Sequence, residues 1–214
     1  MSEENEKIDV KSICTNIIGI GRNYKDPSKE FIPTNEDPFI FAKPIRSIIT
    51  EGSSIQIPKG WGSIIHEVEL GVVIGKTAKF VKEDSAMDYV LGYVLALDMG
   101  RCLDLTKYPI LLHKGFDTAC PISDFIPKSK VKDVNNLSLK LTVNGEIRHD
   151  GNTRDLIHGI PKLISYLSSY FTLEYGDLIL TGTPIGISTV KHGDLIEASL
   201  ADLAKVKFPV IELQ

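Results

Sequence analysis

Two glutamates, Glu67 and Glu69, are separated by one residue within the largely apolar stretch of residues 64–74. If this stretch is a β-strand, its side chains alternate between two faces, so both carboxylates project from the same face. Same-face neighbours lie roughly 6–7 Å apart, where two carboxylates repel by about 2–3 kcal/mol at an effective dielectric constant near 20. We therefore expect a cation to offset the repulsion, either lysines beside a solvated strand face or a divalent metal ion.

A third carboxylate favours the metal ion. Residues 93–97 form an apolar run that ends at Asp98, as in a buried strand that delivers a ligand to a pocket at its end. Mg2+ and Mn2+ prefer such oxygen ligands, usually a few carboxylates completed by water and substrate. The sequence therefore predicts that Glu67, Glu69 and Asp98 bind one Mg2+ or Mn2+ ion.

Composition sets the class of protein and of partner. With 214 residues and 43% hydrophobic content, the chain can bury one large core, and we predict a polar tail at residues 1–12 followed by a single domain at 13–214. The formal net charge is −4 and no run is rich in lysine or arginine, which argues against nucleic acid and anionic membranes as partners. We expect small-molecule partners.

Cysteine use and the first residues bear on the compartment. Cys14, Cys102 and Cys120 are widely spaced, which indicates neither a disulfide framework nor a thiolate zinc site and favours a reducing compartment. The acidic start lacks the features of a signal peptide or a mitochondrial presequence, and no apolar stretch approaches the ~18 residues of a membrane helix. We expect a cytoplasmic protein.

Short apolar segments bounded by glycine and proline predict an α+β fold that is mainly β. Asn144-Gly145 between alternating segments predicts a β-hairpin. Residues 155–171 have the spacing of an amphipathic helix, with Pro161 as its one unfavourable residue, and residues 78–88 are compatible with a helix. The predicted strands are residues 14–20, 38–44, 47–49, 54–58, 64–74, 93–98, 178–180, 192–198 and 204–210.

Several loop residues could contact a ligand. Arg22 follows a predicted core strand and either binds a carboxylate or is an exposed loop arginine, while Lys114 is either a pocket residue or a surface lysine. In residues 181–186 the small side chains would let backbone N–H groups approach an anion. Alternation points His66 away from the acids, and His113 is expected to be a satisfied loop residue.

Several separated segments together resemble the fumarylacetoacetate hydrolase family, most closely its single-domain acylpyruvase and oxaloacetate decarboxylase branch. The similarity covers roughly residues 13–210. The segments are Gly21-Arg22-Asn23-Tyr24, His66-Glu67-Val68-Glu69-Leu70, Leu97-Asp98, Lys114-Gly115-Phe116-Asp117, Val143-Asn144-Gly145 and Gly176-Asp177-Leu178-Ile179-Leu180-Thr181-Gly182-Thr183-Pro184.

The resemblance implies a mixed β-sheet roll with few helices, a homodimer, and Mg2+ or Mn2+ held by the three acids. It implies that Lys114 is catalytic and that Arg22, Gly182 and Thr183 bind a small anionic 2-oxo acid. The implied reaction is cleavage or enolisation through a metal-stabilised enolate, either acylpyruvate hydrolysis or oxaloacetate decarboxylation. The alternatives are an oxaloacetate-type keto-enol tautomerase and a non-catalytic metal-binding dimer, and a mitochondrial location is possible by resemblance.

One departure from the family pattern concerns hydrolysis. The pattern has a histidine and, three residues later, a glutamate that together activate water; here Glu30 is present as a catalytic candidate, but Pro27 stands at the histidine position. A carboxylate without an imidazole partner is a weaker base at neutral pH. We therefore expect weak hydrolysis. The segment after Asp98 is also shorter than in the family.

Overall fold

The computed structural model describes residues 8–26, 36–104 and 106–214, so the predicted catalytic Glu30 and the departure at Pro27 lie outside the described residues. Within these ranges, strands and a few short helices form mixed sheets, which confirms the predicted mainly β fold. The helices are α1 (Val10–Ile13), α2 (Glu83–Ala86), α3 (Ile110–Lys114) and α4 (Ile160–Tyr170). The strands are β1 (Ile17–Gly21), β2 (Phe39–Lys43), β3 (Ile48–Ile49), β4 (Ile55–Ile57), β5 (Ser63–His66), β6 (Val68–Ile74), β7 (Val90–Leu97), β8 (Gly100–Arg101), β9 (Cys120–Pro121), β10 (Ile126–Pro127), β11 (Ser138–Val143), β12 (Glu146–Asn152), β13 (Leu178–Leu180), β14 (Ser188–Lys191), β15 (Leu195–Leu200) and β16 (Ala204–Glu212).

The central sheet has six strands in the order β10, β7, β6, β13, β1 and β2. Strand β1 runs parallel to β13, and the other neighbours are antiparallel. Every residue of β6 is buried, because one hydrophobic cluster that includes Val72 covers one face of the sheet and another that includes Val73 covers the other. This burial on both faces explains why β6 and β7 are apolar almost throughout.

A second sheet of five strands, in the order β12, β11, β15, β16 and β4, packs beside the first. The predicted hairpin is confirmed: Asn144 and Gly145 join β11 to β12 with φ angles of 53° and 82°. Positive φ at both central residues is typical of a tight hairpin turn. This hairpin brings β12 behind the loop that follows β13, a contact that bears on the functional site.

The segment predicted as one strand at residues 64–74 is interrupted at Glu67. Strand β5 pairs with β14 and β8 in a three-stranded sheet, whereas β6 belongs to the central sheet. The prediction of a single strand is wrong because the alternation of side chains continues while the chain passes from one sheet to the other. Glu67 lies at this crossing.

The helix predicted at residues 155–171 begins later than expected. Helix α4 starts at Ile160 with Pro161 in its first turn, where the missing N–H of proline would have no intrahelical partner. Pro161 therefore marks the start of the helix, and the preceding Thr153–Asp155 forms a separate 3-10 turn. In the region 78–88 the α-helix is limited to Glu83–Ala86, before the 3-10 turn Met87–Tyr89.

The beginning of the described chain is packed. Asp9 caps helix α1, and Val10 is buried against the core, although both lie within the segment predicted to be a polar tail. The packed part of the chain therefore extends to Val10. Among the residues described, no helix combines the length and apolar character needed to cross a membrane.

Candidate active site

Three carboxylates converge where β6 begins and β7 ends. Strands β6 and β7 are antiparallel and pair Val68 with Leu97, so Glu67 before β6 and Asp98 after β7 lie side by side. The backbone N–H of Asp98 donates to the carbonyl of Glu67 at 3.0 Å. One carboxylate oxygen from each of Glu67, Glu69 and Asp98 lies within 4.8 Å of the others, and all three residues are buried. The structure therefore brings the predicted metal ligands together.

Two buried lysines contact this group of acids. Lys43, the last residue of β2, places its Nζ 2.6 Å from Asp98 Oδ1. Lys114, the last residue of α3, places its Nζ 2.6 Å from Asp98 Oδ2 and 2.9 Å from Glu67 Oε1. Lys114 thus contacts the acids and lines the cavity, and its catalytic role stays a prediction. Lys43 was not predicted, and its only sequence signal is its position after an apolar strand and before a proline.

The charges of this group do not balance. Three carboxylates face two ammonium groups, which leaves one negative charge in excess when all are ionised. Burial, and then repulsion from Asp98, raises the pKa of Glu67 to about 7, and the same two causes raise that of Glu69 well above its usual value. Burial also opposes ionisation of Asp98, but Lys43 and Lys114 hold its pKa below normal.

The excess charge and the ligand chemistry fit a divalent cation. Carboxylate oxygens are the preferred ligands of Mg2+ and Mn2+, and such an ion would stabilise the ionised form of Glu67 and Glu69. A further anchor fixes Glu69, because the backbone N–H of Gly182 donates to Glu69 Oε2 at 2.6 Å. The described residues thus provide oxygen ligands that are held in place before any ion binds.

A cavity of about 520 Å³ opens above the acids. Glu67, Glu69 and Lys114 lie at its charged end, and apolar side chains that include Phe41 and Ile187 line its walls. This volume is typical of small-molecule sites and leaves room for a small organic acid beside a metal ion. The arrangement can therefore hold an anion against a cation at the charged end of the cavity.

The predicted substrate-binding residues occupy different positions around this cavity. Arg22 is exposed at the cavity edge, has a φ of 57°, and places its guanidinium carbon 5.7 Å from the centroid of the Phe39 ring. Thr183 lines the cavity, and its Oγ1 accepts a hydrogen bond from Val68 N at 3.1 Å. Gly182 directs its N–H to Glu69. The anion that this glycine contacts is thus a side chain of the protein, and a contact of Gly182 with substrate stays a prediction.

Asn23, which sequence reasoning did not assign a role, joins the two loops that carry these residues. Its Nδ2 donates to the carbonyls of Thr181 and His158 at 2.8 Å and 3.0 Å, and its Oδ1 accepts from His158 N at 2.8 Å. Both side-chain hydrogen-bonding groups of this buried amide are therefore used to hold the loop after β1 against the loop after β13 and against the segment before α4.

The two histidines differ in their surroundings. His66 is buried and contacts Ser188 and His149, in agreement with the expectation that it points away from the acids. His113, expected as a satisfied loop residue, instead lies in α3 and lines the cavity, and its Nδ1 is buried without a hydrogen-bond partner among the residues described. Burial, and then the charge of Lys114, lowers the pKa of His113.

Comparison with known proteins agrees with this fold. The family model for the fumarylacetoacetate (FAA) hydrolase C-terminal domain matches residues 16–211. The chain is 46% identical over 205 residues to a Dictyostelium discoideum protein named oxaloacetate decarboxylase, mitochondrial, covering 91% of this chain and 93% of that protein. It is 48% identical over 204 residues to an Arabidopsis thaliana protein named oxaloacetate tautomerase FAHD2, mitochondrial, covering 92% and 90%.

A solved structure gives the same result. Fumarylpyruvate hydrolase from Pseudomonas aeruginosa, in complex with Mn2+ and pyruvate, superposes with a TM-score of 0.85 at 30% identity and covers 94% of this chain and 91% of that chain. The resemblance predicted from the separated sequence segments is therefore confirmed. The chain belongs to the fumarylacetoacetate hydrolase family and is an enzyme of that family.

Proposed function

We propose that this enzyme enolises small 2-oxo acids of the oxaloacetate type, with Mg2+ or Mn2+ held by Glu67, Glu69 and Asp98. The observation that carries the proposal is the convergence of three buried carboxylates and a buried lysine at the charged end of one cavity. The relatives named as an oxaloacetate decarboxylase and an oxaloacetate tautomerase support this substrate class. The neighbour in complex with Mn2+ and pyruvate supports the pairing of a divalent ion with a 2-oxo acid.

When bound, the divalent ion would supply positive charge that polarises the carboxylate and keto oxygens of the substrate. The residues of the chain have separate tasks. Although burial opposes its charge, Asp98 and Glu67 raise the pKa of Lys114, which keeps it an ammonium group. Lys114 can therefore donate a hydrogen bond to the oxygen that gains negative charge as the substrate enolises.

Two further residues that line the cavity are suited to orient the substrate. Arg22, at the cavity edge, presents a guanidinium that can donate two parallel hydrogen bonds to a carboxylate. The hydroxyl of Thr183 accepts from Val68 N and can donate its own proton to a substrate oxygen. Lys43 contacts Asp98 rather than the cavity and is thus suited to fix the orientation of that carboxylate.

Three reactions pass through an enolate, and the sequence favours two of them: tautomerisation forms it by deprotonation, whereas decarboxylation and acylpyruvate hydrolysis form it by C–C bond cleavage. Decarboxylation of oxaloacetate and keto-enol tautomerisation need stabilisation of the enolate and proton transfer, whereas acylpyruvate hydrolysis also needs an activated water. Because Pro27 stands where the family pattern has its histidine, we infer decarboxylase or tautomerase activity and weak hydrolysis. General base assistance is worth about 10²–10⁴-fold in rate, which sets the scale of the expected deficit.

A substrate panel tests this proposal. Oxaloacetate tautomerisation, oxaloacetate decarboxylation and acetylpyruvate hydrolysis are measured with Mn2+, with a chelator, and with the Glu69→Gln protein. We expect metal-dependent turnover of oxaloacetate that Glu69→Gln abolishes, and little hydrolysis of acetylpyruvate. Efficient acetylpyruvate hydrolysis would show that another base activates water, and no turnover of any substrate would favour a non-catalytic metal-binding protein.

The assembly and compartment are further parts of the proposal. By family resemblance we propose a homodimer, which light scattering on the purified protein would test. Both relatives described above are named as mitochondrial, which supports the mitochondrial alternative more than the cytoplasmic expectation. Fractionation of cells that express the full-length protein would decide between the two compartments.

A further inference from the structure

Behind one wall of the cavity, three side chains and a backbone carbonyl form a continuous line of hydrogen bonds. Ser188 Oγ lies 2.8 Å from His66 Nε2, and His66 Nδ1 lies 3.2 Å from His149 Nε2. His149 Nδ1 in turn lies 3.2 Å from the carbonyl oxygen of Pro184. Both imidazole rings are completely buried. The line joins β14, β5 and β12 to the loop that follows β13.

The carbonyl group of Pro184 fixes the direction in which hydrogen bonds are donated along the whole line. A carbonyl oxygen can only accept, so His149 must carry its proton on Nδ1 and leave Nε2 as an acceptor. His66 must then donate from Nδ1 and accept at Nε2, where Ser188 donates its hydroxyl proton. Burial lowers the pKa of His149, so this ring is neutral at neutral pH and its single proton lies on Nδ1, where the carbonyl of Pro184 accepts it.

The line ends on a wall of the proposed substrate site. Residues 183–187 all line the cavity, and Pro184 directly follows Thr183. Residues 183–187 pack closely against β12. A Cβ added at Gly151 would overlap Pro184, and one added at Gly186 would overlap the carbonyl oxygen of Arg148. The hydrogen bond from His149 thus fixes a loop that is already in close contact with the strand.

We propose that His149 is a positioning residue of the 2-oxo acid site, because its one-directional hydrogen bonds hold the wall of residues 183–187 against His66, the residue before the metal ligand Glu67. This inference rests on the proposed function. A nucleophilic role for Ser188 is disfavoured, because Ser188 is not among the described residues that line the cavity. Ser188 instead completes the line as its first donor.

The direction of the line can be measured without any substrate. Nitrogen-15 NMR of the metal-free protein distinguishes the two neutral forms of each imidazole. We expect His66 and His149 to carry their protons on Nδ1. In the His149→Ala protein His66 loses its hydrogen-bond acceptor, so the distribution of the His66 proton between Nδ1 and Nε2 should change. The control is His192→Ala, which alters an exposed histidine and should leave the signals of His66 as in the wild type. A proton on Nε2 of His149 in the wild type would overturn the proposal.

Kinetics then test what the line does for the site. A misplaced wall should cost His149→Ala about 10- to 100-fold in kcat/KM for oxaloacetate, mainly through KM. His149→Gln should recover most of this loss, because its amide can both accept from His66 and donate to Pro184. Loss in His149→Gln as large as in His149→Ala would show that ring packing alone matters and would overturn the proposal. Absence of turnover in the wild type would instead contradict the proposed function, while the NMR result would still test the direction of the line.

Discussion

The raised pKa of Glu67 predicts how the stability of the metal-free protein depends on pH. Glu67 ionises near 7 in the folded protein instead of near 4.5, first because it is buried and then because Asp98 repels it. Between these values the folded state keeps a proton that the unfolded state has lost, so stability falls as pH rises through this range. At about 1.4 kcal/mol per pKa unit, this one group costs the ionised protein about 3 kcal/mol.

The perturbation that tests this effect is Glu67→Gln, which removes the titration of residue 67 and its repulsion of Glu69 but retains an oxygen that can face Lys114. Buried histidines such as His66 shift stability in the opposite direction over part of the range, because their lowered pKa favours the folded state as pH rises. The contribution of the buried histidines to stability is the same in the wild type and in Glu67→Gln. From pH 5 to pH 8 the stability of Glu67→Gln relative to wild type should therefore rise by about 2–3 kcal/mol.

The assay is thermal unfolding in a chelator at several pH values. For a chain of this length 1 kcal/mol shifts Tm by about 2–4 °C, so the difference between the two proteins should change by about 5–10 °C. Glu83→Gln, which alters an exposed carboxylate 3.6 Å from Lys162, is the matched control and should track the wild type. Mn2+ at pH 8 should raise the Tm of the wild type far more than that of Glu67→Gln. A constant difference between wild type and Glu67→Gln across pH would refute the reasoning.

Three further predictions concern the groups around the acids. Lys43→Met should lower the free energy of unfolding by about 3 kcal/mol in denaturant titrations, because it breaks a fully buried ion pair with Asp98; a change below about 1 kcal/mol would contradict this. Gly182→Ala should weaken Mn2+ binding about tenfold in calorimetry, because its φ of +102° and the nearby Asn23 Cβ disfavour a side chain and move the N–H that holds Glu69; unchanged affinity would contradict that role. Borohydride treatment with pyruvate should leave the protein mass unchanged, because Lys114 stays protonated and forms no Schiff base; an adduct on Lys114 would refute the proposed role.

Local patterns in the sequence were sufficient to predict the acids of the site. Alternation placed Glu67 and Glu69 on one side even though the strand is interrupted at Glu67, because only that one residue separates β5 from β6. An apolar run that ends in a carboxylate marked Asp98. These signals are local, since each depends on one strand and its end.

The remaining parts of the site depend on contacts that no local pattern encodes. Lys43 contacts Asp98, which is 55 positions away in the sequence, and Asn23 contacts His158, which is 135 positions away. The small residues of the loop after β13 indicated an anion contact, but the anion met by Gly182 is Glu69, a partner that only the packing of β6 against β13 brings within reach. The start of α4 at Ile160 follows from the tolerance of proline in a first helical turn, which spacing alone did not locate.

The claim that Glu67, Glu69 and Asp98 form a metal centre is tested most directly by calorimetric titration of Mn2+ into the wild-type and Glu69→Gln proteins. Glu69 is chosen because it is buried and anchored by Gly182, so its amide variant keeps the shape of the site while removing one charge. We expect one ion per wild-type chain and binding weaker by more than about 100-fold in Glu69→Gln. Equal affinity and stoichiometry in the two proteins would contradict the metal centre.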